Sequence, residues 1–321
     1  MTERITDNPD ILILLPRLAD SDASVRRITL IDLADLEDPD ALPWLTAALR
    51  RDPVAEVRAE AARLLEAWEA PEVVQDLCAA LADPAEAVRV AAAQSLSELK
   101  TAQAGRLILP WVDHADAFVR ASALRALREL RLEDAAGPAL RALADADASV
   151  RREAVGILGW LKHEPALPAL ARLAASETDT EVRRAAIGAL GLASDTTVLP
   201  ALIGALADEA WQVREEAAST LGKVGHDEAG QALIAALSDG YWQVRLRAAR
   251  ALGRLRHAGA LDGLAGLLGH GIANLRKEAA LALGELGQAR ALPALHAAEA
   301  DSDPEVRKAV RIALAQLQGA A

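Results

Sequence analysis

The stretch VREEAASTLGKV, residues 213–224, decides the fold. Counted from Val213 as position zero, apolar residues fall at positions 0, 4, 8 and 11, which is one face of a helix with 3.6 residues per turn. The pattern returns along the whole chain, and neighbouring copies begin 31 or 32 residues apart, so the sequence predicts ten repeats of one unit. The copies begin with Val25, Val57, Val88, Val119, Val150, Val182, Val213, Val244, Leu275 and Val306, each followed by arginine.

A second, shorter helix precedes each copy of this pattern. It reads ALPWL at residues 41–45 and ALPAL at residues 291–295, with proline in the first turn, where its missing N–H is harmless. We therefore expect an all-α fold: an α-α superhelix, or solenoid, of about ten 31-residue helical hairpins. We expect a single solenoid over residues 1–321, with repeats from about residue 10 to 317 and a short polar N-terminal cap. Stacking neighbours would bury the apolar stripe of each hairpin.

Charged residues recur in the turn before each second helix. The residue five before the repeated valine is acidic in eight of the ten repeats, and His114 and His270 are the two exceptions. Aspartate also stands three before the valine in several repeats, where it can cap the helix. We expect the repeated arginine to reach an acid of its own or the neighbouring turn, forming a ladder. Repeat nine, with GHGIAN at residues 269–274, predicts either a looser turn or a local hinge.

The amino-acid composition indicates how the core is filled and argues against some classes of binding partner. Aromatic residues make up only 2% of the chain, so alanine, leucine and valine must fill the core. The net charge of −12 argues against nucleic-acid and anionic-membrane partners, which attract basic surfaces. Cys78, the single cysteine, stands in an apolar helix and is expected in the core. No signal sequence or long apolar run is evident, which makes the cytoplasm the simplest location.

The period, the Asp-x-x-x-x-Val-Arg start and the small-residue helix resemble the short HEAT-like repeats of the phycobilisome-lyase type. The resemblance covers about residues 10–317 and implies a helical solenoid. It does not single out one activity, because chains of this type include bilin lyase subunits, phycobilisome-degradation factors, deoxyhypusine hydroxylases and bacterial adaptors.

The sequence offers no catalytic constellation. It contains no phosphate-binding loop, no H-E-x-x-H and no G-x-S-x-G. The hydroxylases of the resembling group hold iron with paired His-Glu motifs, whereas this chain has one, His163–Glu164, in a turn. His163, His226 and His257 occupy similar turns of separate repeats, too far apart to share one ion. We therefore expect no enzyme activity, no metal and no cofactor.

A candidate binding surface lies on the second helices. The positions at −2, −1, +2, +3, +6 and +10 from the repeated valine point away from the core stripe and vary between repeats. Aromatic and arginine side chains, the types that dominate binding hot spots, concentrate there in repeats four to eight. The candidate residues, on or beside this surface, are Phe118, Trp160, Trp211, Tyr241, Trp242, Arg247, Arg250 and Arg254.

Two interpretations of the tryptophans stay open. Trp211 and Trp242 are 31 residues apart and would stack side by side, either contacting a partner or plugging the turns between helices. We expect a non-catalytic scaffold that binds a protein or peptide in a concave groove lined by the second helices. The alternative is a bilin-lyase-like, chromophore-handling factor, in which the same residues would hold a planar carboxylated ligand.

Overall fold

Twenty α-helices build the protein in a computed structural model that describes residues 6–319. No strand occurs within that range, which confirms the all-α prediction. The first helices of the ten repeats are α1 (Pro9–Leu14), α3 (Leu42–Arg51), α5 (Pro71–Ala80), α7 (Ala102–Ile108), α9 (Ala136–Ala142), α11 (Leu167–Ser176), α13 (Leu199–Ala205), α15 (Gly230–Ala236), α17 (Leu261–Leu267) and α19 (Leu292–Ala297).

The second helices carry the repeated pattern and are mostly longer. They are α2 (Ala23–Ala34), α4 (Ala55–Leu64), α6 (Glu86–Ser97), α8 (Ala117–Arg128), α10 (Ala148–Trp160), α12 (Thr180–Leu190), α14 (Trp211–Val224), α16 (Trp242–Leu255), α18 (Ala273–Leu286) and α20 (Pro304–Gly319). The chain forms two compact units, one ending at Leu161 and the other beginning at Lys162. Each unit contains five repeats. The single-domain organisation expected from the sequence stays a prediction.

The predicted helix phase is present in the second helices. Val213, Ala217, Ala218 and Leu221, at positions 0, 4, 5 and 8 of α14, are fully buried. Ser219, at position 6, is half-buried and lies off this stripe.

The residue twelve after the repeated valine takes a left-handed conformation at several helix ends, which glycine adopts most easily. These residues are Glu37, Arg131, Lys162, Gly225, Arg256 and Gly287.

Aspartate starts several second helices as predicted. Asp116 accepts hydrogen bonds from the backbone N–H groups of Phe118 and Val119, which satisfies donors that the helix itself leaves free. The other caps at this position are Asp22, Asp147, Asp179 and Asp303. In repeat nine the N-cap of α18 is Ile272, which provides no side-chain cap. Nδ1 of His270 nevertheless accepts from the N–H of Ile272 at 3.1 Å, as the carboxylate of Asp208 accepts from the N–H of Ala210 two repeats earlier. The local geometry there is therefore that of an ordinary repeat turn.

The predicted arginine ladder links neighbouring repeats within each unit. Nε and Nη2 of Arg183 donate to both carboxylate oxygens of Asp208 in the next repeat, at 2.8 and 3.0 Å. Nη1 of the same arginine donates to carbonyls of its own turn, so each arginine joins two turns. The equivalent pairs are Arg26–Asp52, Arg58–Asp83, Arg120–Asp145, Arg214–Asp239 and Arg276–Asp301.

Two ladder positions differ because histidine replaces the acid. Nη1 of Arg245 lies 3.1 Å from Nε2 of His270. In the repeat with His114, the guanidinium of Arg89 lies instead over the ring of Phe118, 5.5 Å from its centroid. The Nε of Arg89 is buried and has no hydrogen-bond partner within residues 6–319. The aromatic ring therefore takes the place of a carboxylate as the partner of this arginine.

Lowered pKa values accompany the ladder. Hydrogen bonds from Arg120, Arg214 and Arg276 lower the pKa values of their partners, which are Asp145, Asp239 and Asp301. A carboxyl group whose pKa is lower in the folded chain stabilises the fold above its unfolded pKa, about 3.9 for aspartate. That contribution is lost as the pH falls through the folded pKa.

We therefore expect the stability cost of Asp239→Asn to depend on pH. The melting temperatures of wild type and variant should differ most near neutral pH and converge as the pH falls below about 4, because Asp239 then takes up a proton. Thermal melts of both proteins across this pH range measure the difference. A difference that stays constant down to pH 2 would contradict the assignment of the charged pair.

Glycine allows neighbouring second helices of the second unit to approach very closely. A Cβ added to Gly253 of α16 would lie 2.8 Å from Cα of Ala282 in α18. Gly222 and Gly284 meet Ala251 and Ala313 in the same way. In this unit the second helices contact one another more extensively than the first helices do. The side that packs more closely is the inner side of a curved stack, which supports the predicted concave face for this unit.

We expect Gly253→Ala to destabilise the protein although alanine favours a helix. The added methyl would force α16 and α18 apart, at a cost of about 1–3 kcal/mol. The control is Gly204→Ala in α13, where an added Cβ meets no atom within 4 Å and alanine should stabilise by about 0.5–1 kcal/mol. Urea denaturation of both variants should give shifts of opposite sign. Two stabilising shifts would show that the helices do not meet at Gly253.

Candidate functional site

The second-helix face comprises positions −2, −1, +2, +3, +6 and +10 of the second helices, together with Tyr241 beside them at −3. Position +3 departs from the expectation for a solvent-facing position, because it is buried in half of the repeats, as at Glu153 and Glu278. Two of its aromatic residues lie in the first unit and the others in the second. Trp160 ends α10 with 46% of its surface exposed, and Tyr241 precedes α16 with 48% exposed. Large aromatic side chains this exposed are available for contact with another molecule.

Arginines from the preceding repeat cover three of the aromatic rings. The guanidinium carbon lies 5.3 Å from the ring centroid of Trp160 for Arg131, and 5.6 Å from that of Tyr241 for Arg214. Phe118 with Arg89 is the third pair. Such cation–π contacts fix the orientation of the rings. The sequence did not predict these contacts, because the three pairs do not share one spacing: two are 29 residues apart and the third is 27.

The prediction that Trp211 stacks on Trp242 is wrong, because another ring takes that place. Trp211 stacks on Tyr241, with ring centroids 5.4 Å apart and an angle of 14° between the ring planes. Tyr241 stands one residue before Trp242, at the N-cap of α16, so its ring reaches back toward the preceding repeat. Trp211 and Trp242 are both half-buried at the first residue of their helices, where packing and partner contact remain open as roles.

The three predicted arginines of α16 differ in how strongly they are engaged. Arg250 forms two hydrogen bonds of 2.7 Å to Glu278, which is only 5% exposed. These bonds raise the pKa of Arg250. Arg247 pairs with Glu215 at 3.0 Å. Arg254 is exposed in the last turn of α16. Of the three candidates, Arg250 therefore mainly neutralises a buried carboxylate.

The sequence analysis missed a cluster around Glu153 in the first unit. This glutamate is 4% exposed and lies within 3.5 Å of guanidinium groups of three arginines. They are Arg125, Arg128 and Arg152, which are 35% to 50% exposed as side chains. A glutamate at +3 and an arginine at +6 of the preceding repeat also form the Arg250–Glu278 pair. This spacing of 28 residues is the signal that could have found both.

In the rest of the described chain, the features to consider are metal-binding clusters, a reactive thiol and membrane-spanning helices. Within residues 6–319, no group of three or more histidine, cysteine, aspartate or glutamate side chains could hold a metal ion. Cys78 is fully buried, as predicted, and burial raises the pKa of its thiol to about 12. None of the helices in this range is long and apolar enough to cross a lipid bilayer.

Sequence comparison agrees with the repeat architecture. The HEAT-repeat family profile matches residues 11–97, 42–128, 105–191, 174–240 and 231–315. The chain belongs to the HEAT-repeat family. The match covers HEAT repeats in general and does not reach the phycobilisome-lyase type of the sequence analysis. No curated protein matches this HEAT-repeat chain by sequence.

Solved structures share its fold at low identity. The Escherichia coli protein YibA is 21% identical, with a TM-score of 0.62 over 84% of this chain and 98% of its own. The karyopherin Kap121p, bound to the extreme C-terminus of the protein phosphatase Cdc14p, is 14% identical with a TM-score of 0.69. That match covers 99% of this HEAT-repeat chain and 42% of Kap121p. At these identities the likeness shows the fold alone.

Proposed function

We propose that the chain is a non-catalytic scaffold that binds a protein or peptide on its second-helix face. The observation that carries the proposal is the exposure of Trp160 and Tyr241 on that face, each held by an arginine. Rigid, exposed aromatic groups beside arginine are typical of binding hot spots. The HEAT-repeat structure of Kap121p, a protein bound to a peptide terminus of another protein, adds support by analogy.

The phycobilisome-lyase resemblance supplies the alternative, a chromophore-handling factor. Such a factor would place a planar carboxylated ligand between the aromatic and arginine side chains. The structure offers no specific feature for it, since the rings of Trp211 and Tyr241 already stack on each other and Arg250 already pairs with Glu278. We therefore propose the peptide-binding scaffold and leave the chromophore as an outcome of the test.

The test uses a partner recovered with the intact protein and measured by calorimetry. Tyr241→Ala and Trp242→Ala should each weaken binding by about 2 kcal/mol or more, which is a hot-spot magnitude. Arg254→Ala tests the cationic side of the surface, because replacing Arg250 would leave Glu278 buried without its partner. Arg51→Ala, an exposed arginine at the end of a first helix, is the control and should bind like wild type.

Unchanged affinity in all three variants would refute the part of the second-helix face that lies in the second unit as the binding surface. Recovery of a tetrapyrrole in place of a protein, with absorbance lost in the same variants, would favour the chromophore alternative. Melting temperatures of all variants show whether a loss of binding reflects a loss of folding.

A further inference from the structure

The arginine cluster of the first unit comprises Arg125, Arg128 and Arg152 around Glu153. Arg125 approaches one carboxylate oxygen of Glu153 at 3.3 Å and Arg128 the other at 3.3 Å, while Arg152 lies 3.5 Å away. Each guanidinium has five N–H donors, whereas one carboxylate accepts about four hydrogen bonds. The Nε of Arg128 is buried and out of reach of another molecule. The exposed N–H groups of the three arginines still outnumber the acceptor positions of Glu153 and can serve another acceptor.

The cluster has more positive than negative charge. Three arginines there face the one carboxylate of Glu153. Two other acidic residues lie nearby. Glu129 is 61% exposed and 4.0 Å from Arg128, too far for a strong pair, and Asp147 lines the adjoining pocket, where its carboxylate accepts hydrogen bonds from the N–H and hydroxyl groups of Ser149. The second unit differs, because there Arg250 and Arg247 have one glutamate each. In a chain of net charge −12, this local excess of arginine marks a place for a negatively charged group.

A pocket adjoins the cluster on the second-helix face. Its volume is about 350 Å³, and its lining includes one cationic and one acidic side chain, Arg125 and Asp147, together with Val90, Gln94, Phe118 and Ser149. Val90 is 51% exposed, unusually high for a valine on a structured helix. Arg89 holds Phe118 at the pocket from the other side. One surface therefore presents an apolar recess directly beside an arginine with free donors.

We propose that this surface binds an acidic peptide segment of a protein partner, with an aliphatic side chain in the pocket and a carboxylate on the arginine cluster. The proposal rests on the proposed function and names the chemistry of its ligand. An arginine donating two hydrogen bonds to a carboxylate gives direction as well as attraction. The aliphatic anchor supplies apolar contact and the acid supplies specificity, a division common in peptide recognition.

The test uses defined probes and the full-length chain. Fluorescein-labelled nonapeptides with leucine at the centre of a Gly-Ser background carry glutamate at one to four positions on either side, and each has a twin with glutamine in place of glutamate. Fluorescence anisotropy, with protein up to about 1 mM, gives the Kd values. We expect the best glutamate peptide to bind at least about tenfold more tightly than its twin, or about 1.4 kcal/mol.

The paired variant Arg125→Gln with Arg152→Gln should reduce this discrimination to about twofold or less. Arg128 remains beside Glu153 in that variant. Val90→Glu, a substitution at an exposed site, should weaken the glutamate peptide in the same way by repelling its charge. The matched control is Arg141→Gln, whose side chain is 62% exposed in an ion pair on a first helix of the same unit, and it should bind like wild type.

Equal affinity for the glutamate and glutamine peptides overturns the proposal, and so does the absence of binding by every probe. Discrimination that survives in both the paired variant and Val90→Glu overturns it as well. The proposed function fails separately, when a protein partner is insensitive to the Tyr241 and Trp242 variants. A partner that needs those residues but ignores Arg125 and Arg152 leaves the scaffold function standing and refutes this site.

Discussion

Asp208→Ala should be among the most damaging single substitutions on the surface of the repeats. Its ladder partner Arg183 is only 7% exposed as a side chain, and Asp208 is 11% exposed. Removing the acid leaves a largely buried guanidinium with only the exposed carboxylate of Glu209, 3.5 Å from Nη2, as a counter-charge, at a cost toward the lower end of about 3–5 kcal/mol. It also removes the acceptor for the N–H of Ala210. Urea denaturation, followed by circular dichroism, measures the loss.

The same helix supplies a matched control for the ladder pair. Arg184 and Glu181 form an ion pair of 2.7 Å, but both side chains are nearly half exposed. Glu181→Ala should therefore cost less than about 1 kcal/mol. The double variant Arg183→Met with Asp208→Ala should recover much of the loss, because it removes the unpaired charge. A single Asp208→Ala variant as stable as Glu181→Ala would mean that water reaches the ladder freely.

Leu221→Ala should lower the free energy of unfolding by about 2–5 kcal/mol, the usual cost of truncating a buried leucine. Leu221 is fully buried at position 8 of α14. Ser219→Ala, two residues earlier on the second-helix face, should change stability by about 0.5 kcal/mol or less. The midpoints of denaturation compare the two variants directly. Equal shifts would mean that the helix is rotated from the phase described here.

The repeat made most of the fold predictable. A residue that recurs ten times in register has the same environment ten times, so Val213 and Leu221 could be placed in the core and Asp116 at a helix start from spacing alone. The arginine ladder followed from the same logic. The sequence did not decide whether the arginine reaches an acid of its own turn or of the next. Arg183 pairs with the acid of the next turn, Asp208, and donates to backbone carbonyls of its own turn.

Features that occur in only one or two repeats were harder to predict. The cluster at Glu153 and the pair of Arg250 with Glu278 occur only where an arginine at +6 is followed by a glutamate at +3 of the next repeat, a combination that the shared repeat pattern does not contain. The stacking of Trp211 on Tyr241 depends on a difference of one residue at a helix start. Side-chain direction at a cap, rather than spacing, decides which ring is the nearer neighbour.

The arginine ladder also determines how the molecule could change in length. In the ladder pairs of both units, the arginine of one repeat binds the aspartate that opens the next, 25 or 26 residues later. A duplicated segment from Asp208 to Ser238 would bring its own aspartate for the arginine before it and its own arginine for the aspartate after it. The joint between old and new repeats would thus be made of the same bonds as the other arginine–aspartate joints. Repeats can therefore be added or removed as whole modules without leaving an unpaired charge, and the span of the binding face can be adjusted separately from the stability of each joint.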